Sequence, residues 1–391
     1  RILIKNVYTL MVKINPLLIA FVLFLINFIF RLALISKGPY HADCLLLASQ
    51  ASKILETHQM HYLQSSGLPL TALLGAFFIY VLNFLGQIDP VFSVNLMSVT
   101  LSSLCVSIFY LFLKHHFCQK TALFSAFLFS WNPLFLSLST FGNSHPPSLF
   151  FFLLSLYLLA LFKQHHHLFL LAVSALFLGC VAAARLQDFF YASIIYYLYL
   201  FFLKPPQNSF IKYVLISGLI SLIGAFVFYL PGLINSPLPT TILQDQLLYQ
   251  YLFKPPQEIT RDMIAFFTTL SSFELLLSLI GCVLLFKKSP RLTIILITLF
   301  CLPIICFINL RYYLIRFLLF SMIPLHITAG LSLAHLSSKA MTKYFCYVIL
   351  ISALSLNLSQ YLPTIIFRHH HTLLPDFFSW IADVTEDNAY I

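Results

Sequence analysis

The chain has 391 residues, of which 60% are hydrophobic, 16% aromatic and only 9% charged. Soluble domains are under half apolar and about a quarter charged, so a soluble globular domain, a disordered chain and a secreted disulfide scaffold are all excluded. The net charge of +10 falls in short pieces between apolar runs, which places it beside anionic lipid rather than nucleic acid.

The apolar runs read as an all-α polytopic bundle. About twelve candidate spans of roughly 17–25 residues follow one another. They cover 15–36, 68–86, 94–113, 121–138, 146–162, 166–184, 189–203, 211–230, 263–286, 292–308, 312–336 and 344–362. The first run, Pro16 to Ser36, is long enough to span and carries no cleavage site. Long polar stretches lie at 37–67, at 231–262 and in the tail 363–391. The chain reads as a single integral membrane domain, and no internal repeat interrupts it.

Placing every run across the bilayer sets the basic residues against the positive-inside rule. One parity slip repairs this, with loop 37–67 and loop 87–93 both outside and segment 68–86 re-entrant or shallow. Most Lys and Arg then face the cytoplasm, and every acid except Glu274 faces outward. The cytoplasmic loops are short and carry no GxxxxGK[ST] or GxGxxG. A nucleotide-activated donor has no place to bind, so an activated substrate must already be in the membrane. The eight Cys show no CxxC, and most sit in apolar runs as small hydrophobes. The runs His165–His167 and His369–His371 read as solvated interfacial histidines, with metal binding the other option.

Four outward clusters carry chemistry. In the first, Lys37, Tyr40, His41 and Asp43 precede an interfacial stretch, Cys44 to Leu55, with helical apolar spacing, followed by His61. Asp43 can deprotonate a hydroxyl if no positive partner pins it, or it can cap the helix starting near Cys44. In the second, Arg311, Tyr312 and Arg316 stand at the outer end of a span. Guanidinium matches phosphate bidentately, though both arginines can equally snorkel. In the third, Arg185 and Asp188 are three apart and can pair on one helical face. In the fourth, Asn143 and His145 lie in the turn 139–147, within reach of a sugar or phosphate. Glu274 is an intramembrane carboxylate, satisfied by neighbouring Ser and Thr or serving a polar pathway.

The order of these features resembles the GT-C superfamily of polyprenyl-phosphate-sugar-dependent glycosyltransferases, of the protein mannosyltransferase and aminoarabinose transferase type. The likeness rests on Arg31 late in the first span, Asp43 in the first outer loop, and Leu68-Pro69-Leu70 before the next run. It continues in Trp131-Asn132-Pro133 before the polar turn, Arg185 after the sixth run, and Arg311-Tyr312 before a span containing Pro324. It covers 1–200 and 300–335. It implies an inverting membrane glycosyltransferase of the bacterial inner membrane or the ER membrane, with an extracytoplasmic site. The sugar would pass from a polyprenyl-phosphate carrier to a lipid, glycan or protein acceptor.

In that reading Asp43 is the base. Arg311, Arg316, Arg185 and Lys37 hold the donor phosphate, and His41, Tyr40, His61, Asn143, His145 and Tyr312 contact substrate. No metal ligands are assigned, while the resemblance leaves a divalent metal open. Here Cys44 follows Asp43 where the family often pairs acids, and Asn143 and His145 stand where a second acid often appears. The alternatives are a transporter or flippase of lipid-linked substrates using Glu274 and Arg185–Asp188, and a polysaccharide polymerase or ligase.

Overall fold

The computed structural model describes residues 15–60, 68–86, 89–202, 207–235, 255–307, 315–338 and 342–370. In chain order the helices are α1 (Pro16–Ala33), α2 (Ala42–Thr57), α3 (Pro69–Phe84), α4 (Pro90–His116), α5 (Gln119–Ser130), α6 (Pro133–Leu138), α7 (His145–His165) and α8 (Leu168–Ala184). There follow α9 (Leu186–Phe202), α10 (Gln207–Asn235), α11 (Pro256–Thr268), α12 (Ser272–Lys288), α13 (Pro290–Phe307), α14 (Leu319–Ser337) and α15 (Lys343–His370). A 3-10 turn, Ile315–Leu318, leads into α14, and no strand occurs among the described residues.

Local chemistry starts many of these helices. Asn15, Asp89 and Asn132 each accept a hydrogen bond from a first-turn N–H, with proline next in line. Proline has no N–H to leave unsatisfied at that position. The same device corrects one expected span. Residues 121–138 are not a single helix, because Asn132 and Pro133 end α5 and begin α6. A second break falls between α11 and α12, which are bent by 91°. There Ser271 and Glu274 form a capping box. Glu274 therefore stands in the first turn of α12, not mid-span as the sequence suggested.

Among the described residues, seven helices are long and apolar enough to cross a bilayer, or eight if α11 and α12 act together. The apolar helices α3, α8 and α9 are shorter, at 16 or 17 residues. The expected count of about twelve is thus larger than the long helices supply. Helix α15 continues through Pro363 to His370, so the start of the expected tail is helical. Residues 236–254 and 371–391 lie outside the described residues.

Burial sorts the bundle into centre and rim. The span containing α14 is 83% buried and those of α4 and α7 are 72% buried, while α10 and α15 are only 17% buried. The rim helices turn large apolar side chains such as Leu215, Leu219 and Phe226 outward, which suits lipid rather than water. Small residues let α14 come close to its neighbours. A Cβ on Gly330 would overlap Ser125 of α5, and one on Gly281 of α12 would overlap the Thr328 carbonyl.

Arg31 of α1 is fully buried and ties the broken segment together. Its Nε donates to Ser139 Oγ at 3.0 Å and its Nη2 to the Ser130 carbonyl at 2.8 Å. Its Nη1 bonds Asn27 Oδ1. The guanidinium thereby sits at the carboxyl ends of α5 and α6, where helix dipoles favour positive charge.

Candidate active site

The connection between α1 and α2 carries Asp43 and is pinned from three sides. Ser36 N–H donates to the Thr140 carbonyl at 2.9 Å. Asn95 of α4 donates from Nδ2 to the Ser36 carbonyl at 2.8 Å, and its Oδ1 accepts from Gly142 N–H at 2.7 Å and from Cys44 Sγ at 3.1 Å. The end of α15 closes the third side. His369 Nδ1 lies 2.7 Å from the Ile35 carbonyl, and the Arg368 guanidinium stacks 3.6 Å from the Tyr40 ring centre. Cys44, read as part of a polar segment, is fully buried in this knot.

His41, not Asp43, caps α2. The His41 Nδ1 accepts from the Asp43 N–H at 3.1 Å and lies 3.5 Å from Asp43 Oδ1. A neutral ring serves the backbone, and a protonated one serves the carboxylate. Asp43 stands in the first turn of α2. It meets Arg316, whose Nη1 is 2.7 Å from Asp43 Oδ2. Burial alone would raise the Asp43 carboxyl, but the His41 contact and the Arg316 charge outweigh it and hold the group below the usual carboxylate value.

A second ion pair adjoins the first. Arg185 caps the end of α8 and bonds Asp188 in the first turn of α9, Nε to Oδ1 at 3.0 Å. Ser148 Oγ donates to the other Asp188 oxygen at 2.7 Å. Arg185 Nη1 lies 3.3 Å from Ser144 Oγ and 3.2 Å from His145 Nε2. Guanidinium can only donate, so His145 Nε2 accepts and its proton sits on Nδ1. Phe317 joins the two pairs, with its ring centre 4.7 Å from Arg185 Cζ and 5.9 Å from Arg316 Cζ.

The structure thus brings together Asp43, Arg316, His41, Tyr40, Arg185 and His145. Lys37 is exposed on the same loop. Asn143 is spent on its own turn, donating to the Leu138 and Phe141 carbonyls and accepting from His145 N–H. Arg311, Tyr312 and His61 lie outside the described residues. Arg368, His369, Phe317, Ser148 and Asn95 were not foreseen. A basic residue at the outer end of a span marked Arg368 as it marked Arg316, and a lone Asn in an apolar run marked Asn95.

Among the described residues, three buried donors in this cluster, Arg316 Nε, His145 Nδ1 and Arg368 Nε, find no acceptor. Beside Arg185 an open apolar groove of about 580 Å³ runs between α8, α9 and α10, lined by Ala182, Leu186, Phe189, Leu222, Phe226 and Tyr229 among others. Unfilled donors call for an acceptor-rich ligand, and the groove suits an apolar chain.

No family model matches the sequence, and no curated protein matches it. The fold does match solved structures. ArnT from Cupriavidus metallidurans bound to undecaprenyl phosphate aligns at TM-score 0.65 over 96% of this chain and 81% of that one, with 11% identity. The apo form of ArnT aligns at 0.62 over 87% and 62%, with 10% identity. The archaeal oligosaccharyltransferase AglB from Archaeoglobus fulgidus, in complex with an inhibitory peptide and a dolichol-phosphate, aligns at 0.60 over 94% and 58%, with 13% identity. This chain therefore spans less than two thirds of AglB. At such identities the likeness is one of fold alone: the chain shares the polytopic helical membrane architecture of ArnT and AglB.

Proposed function

We propose that the chain is a membrane glycosyltransferase that moves a sugar from a polyprenyl-phosphate carrier to a lipid, glycan or protein acceptor on the extracytoplasmic side. The observation that carries this reading is the meeting of Asp43 with Arg316 at 2.7 Å, beside Arg185. A carboxylate base and two guanidiniums stand together on a fold that in ArnT is bound to undecaprenyl phosphate.

The donor's isoprenoid lies in the groove beside Leu186, and its phosphate reaches Arg316 and Arg185. Asp43 takes the acceptor's hydroxyl proton as that oxygen attacks the anomeric carbon. The carbon–oxygen bond to phosphate breaks, and the electron pair leaves with the phosphate. A donor diester carries one negative charge, while the leaving monoester carries up to two. The arginines therefore stabilise the charge that develops in the transition state more than the ground state. One base and one displacement invert the anomeric configuration.

A divalent metal fits the described residues poorly. None of them form a group of three His, Cys, Asp or Glu that could hold one, and Asp43 Oδ2 already faces a guanidinium. The steps above rest on the chain's own residues. A flippase would need Glu274 and the Arg185–Asp188 pair as a polar pathway. Glu274 is bonded to Ser271 and Asn357, and Arg185 is bonded to Asp188. Glu274 is thereby committed to the α11–α12 break, and Asp188 to holding Arg185 in place, rather than to a pathway.

The two readings separate in lipid vesicles containing the purified chain and a panel of polyprenyl-phosphate sugars. A transferase releases polyprenyl phosphate as the sugar moves to an acceptor. Passage of intact donor across the bilayer, with no cleavage, would overturn the proposal in favour of a flippase.

A further inference from the structure

The two ion pairs of the site are built differently. Asp188 is 1% exposed and Arg185 8%, and a serine holds the second Asp188 oxygen. Separating that pair would strand a buried carboxylate. Asp43 is 37% exposed and Arg316 17%. Asp43 also sits in the first turn of α2, where the helix N-terminus favours a carboxylate whether or not a cation is bound. Of the two pairs, Asp43–Arg316 is the one that can open without leaving a charge stranded. Among the described residues, the Arg316 Nε–H additionally has no acceptor, so its guanidinium has capacity that a single carboxylate oxygen does not fill.

A base paired to a guanidinium is a weak base. The same contact that locates Asp43 therefore restrains it in the empty enzyme. We propose that the Asp43–Arg316 pair is a resting lock opened by the donor. Arg316 exchanges the carboxylate for the donor's phosphate, so Asp43 becomes a competent base only once the donor is seated. This rests on the donor reading given above and adds an order to it, donor before acceptor.

In the exchange no covalent bond changes. Arg316 N–H groups leave Asp43 Oδ2 and bond phosphate oxygens, which present several acceptors to the fork. Asp43 keeps the His41 ring and the helix N-terminus. The new phosphate charge nearby then favours protonation of Asp43, which is what the acceptor's proton requires. After transfer the protonated Asp43 returns its proton to water, polyprenyl phosphate departs, and Arg316 closes on the carboxylate again.

The exchange makes Asp43 an internal competitor of the phosphate. Removing its charge should tighten phosphate binding while transfer is lost. The test is the dissociation constant of polyprenyl monophosphate for the purified full chain in nanodiscs, in wild type, Asp43→Asn, Arg316→Gln and the double variant. The expected result is a gain of about two- to fivefold for Asp43→Asn, the worth of a partly exposed ion pair. That gain should vanish in the Arg316→Gln background, since the competition acts only through Arg316. A gain that persists without Arg316 would mean simple charge repulsion and overturn the exchange. Unchanged or weaker binding in Asp43→Asn would overturn it as well. Asp43→Ser supplies the same reading should Asp43→Asn fail to fold. A wild-type chain that binds no polyprenyl phosphate would overturn the donor reading itself, which keeps the two failures distinct.

Discussion

Arg185 and Arg316 each face an aspartate across about 3 Å, yet their substitutions should read differently. Arg185→Gln strands the buried Asp188 carboxylate, at a cost of about 3–5 kcal/mol, and should lower the unfolding temperature sharply. Arg316→Gln opens a partly exposed pair worth about 1 kcal/mol or less, so the fold should survive while transfer falls. Thermal unfolding in detergent beside a transfer assay checks both. The pH response of the Asp43 pair has a definite sign. The folded group is held below its unfolded value, so the pair's contribution is fully present above the unfolded value of about 4 and fades as pH falls through the folded one. The difference in unfolding temperature between wild type and Asp43→Asn should be flat from about pH 5 to 8 and shrink in stronger acid. At this scale the Arg185–Asp188 pair was legible, because three residues of spacing define it. The Asp43–Arg316 contact was not, because no local pattern links the first outer loop to the turn before α14. Asn143 shows the reverse: a polar residue in an outward turn invites a substrate role, while its amide is consumed by the turn's own carbonyls.

The helices show which sequence signals carry across. Hydropathy found most of the long runs, while the Asn or Asp before proline that starts α1, α4 and α6 is a cue the structure brings out. The breaks at Asn132 and at Ser271 passed unseen in hydropathy windows, which average over caps. The Ser271-x-x-Glu274 pattern was nonetheless readable as a capping box. Close approach of α14 was equally hidden, since nothing in the sequence says which glycine meets a neighbour. Gly330→Leu should therefore destabilise the bundle by about 1–3 kcal/mol or more through overlap with Ser125, whereas leucine at the lipid-facing Leu219 changed to Met should be near neutral. Asn95→Ala should remove the bonds to Ser36, Gly142 and Cys44 together. A loss of about 1–3 kcal/mol is expected for the stranded groups, with the Asp43 loop loosened and transfer reduced more than donor binding.

Across the whole molecule, composition established the membrane class and the all-helical polytopic fold followed, but the number of spans did not. Short helices such as α3, α8 and α9 are apolar but only 16 or 17 residues long, so counting apolar runs and counting long helices give different numbers. Charge distribution proposes the sidedness: the loop bearing Lys37 outside, and the turn bearing Cys118 between α4 and α5 inside. Cys118 is an exposed cysteine, which makes this measurable. A membrane-impermeant maleimide should label Lys37→Cys in intact cells, and should reach Cys118 only after the membrane is opened. Labelling of Cys118 from outside would invert the assignment and move the site to the cytoplasmic face.

The measurement that bears most directly on the central claim is transfer of labelled sugar from polyprenyl-phosphate donors in membranes carrying wild type, Asp43→Asn or Arg316→Gln chains at equal abundance. With Asp43 as the base and Arg316 holding the leaving phosphate, Asp43→Asn should lose about 10²–10⁴-fold in rate while still binding the carrier, and Arg316→Gln should lose both rate and carrier affinity. Transfer by Asp43→Asn at the wild-type rate would contradict the account.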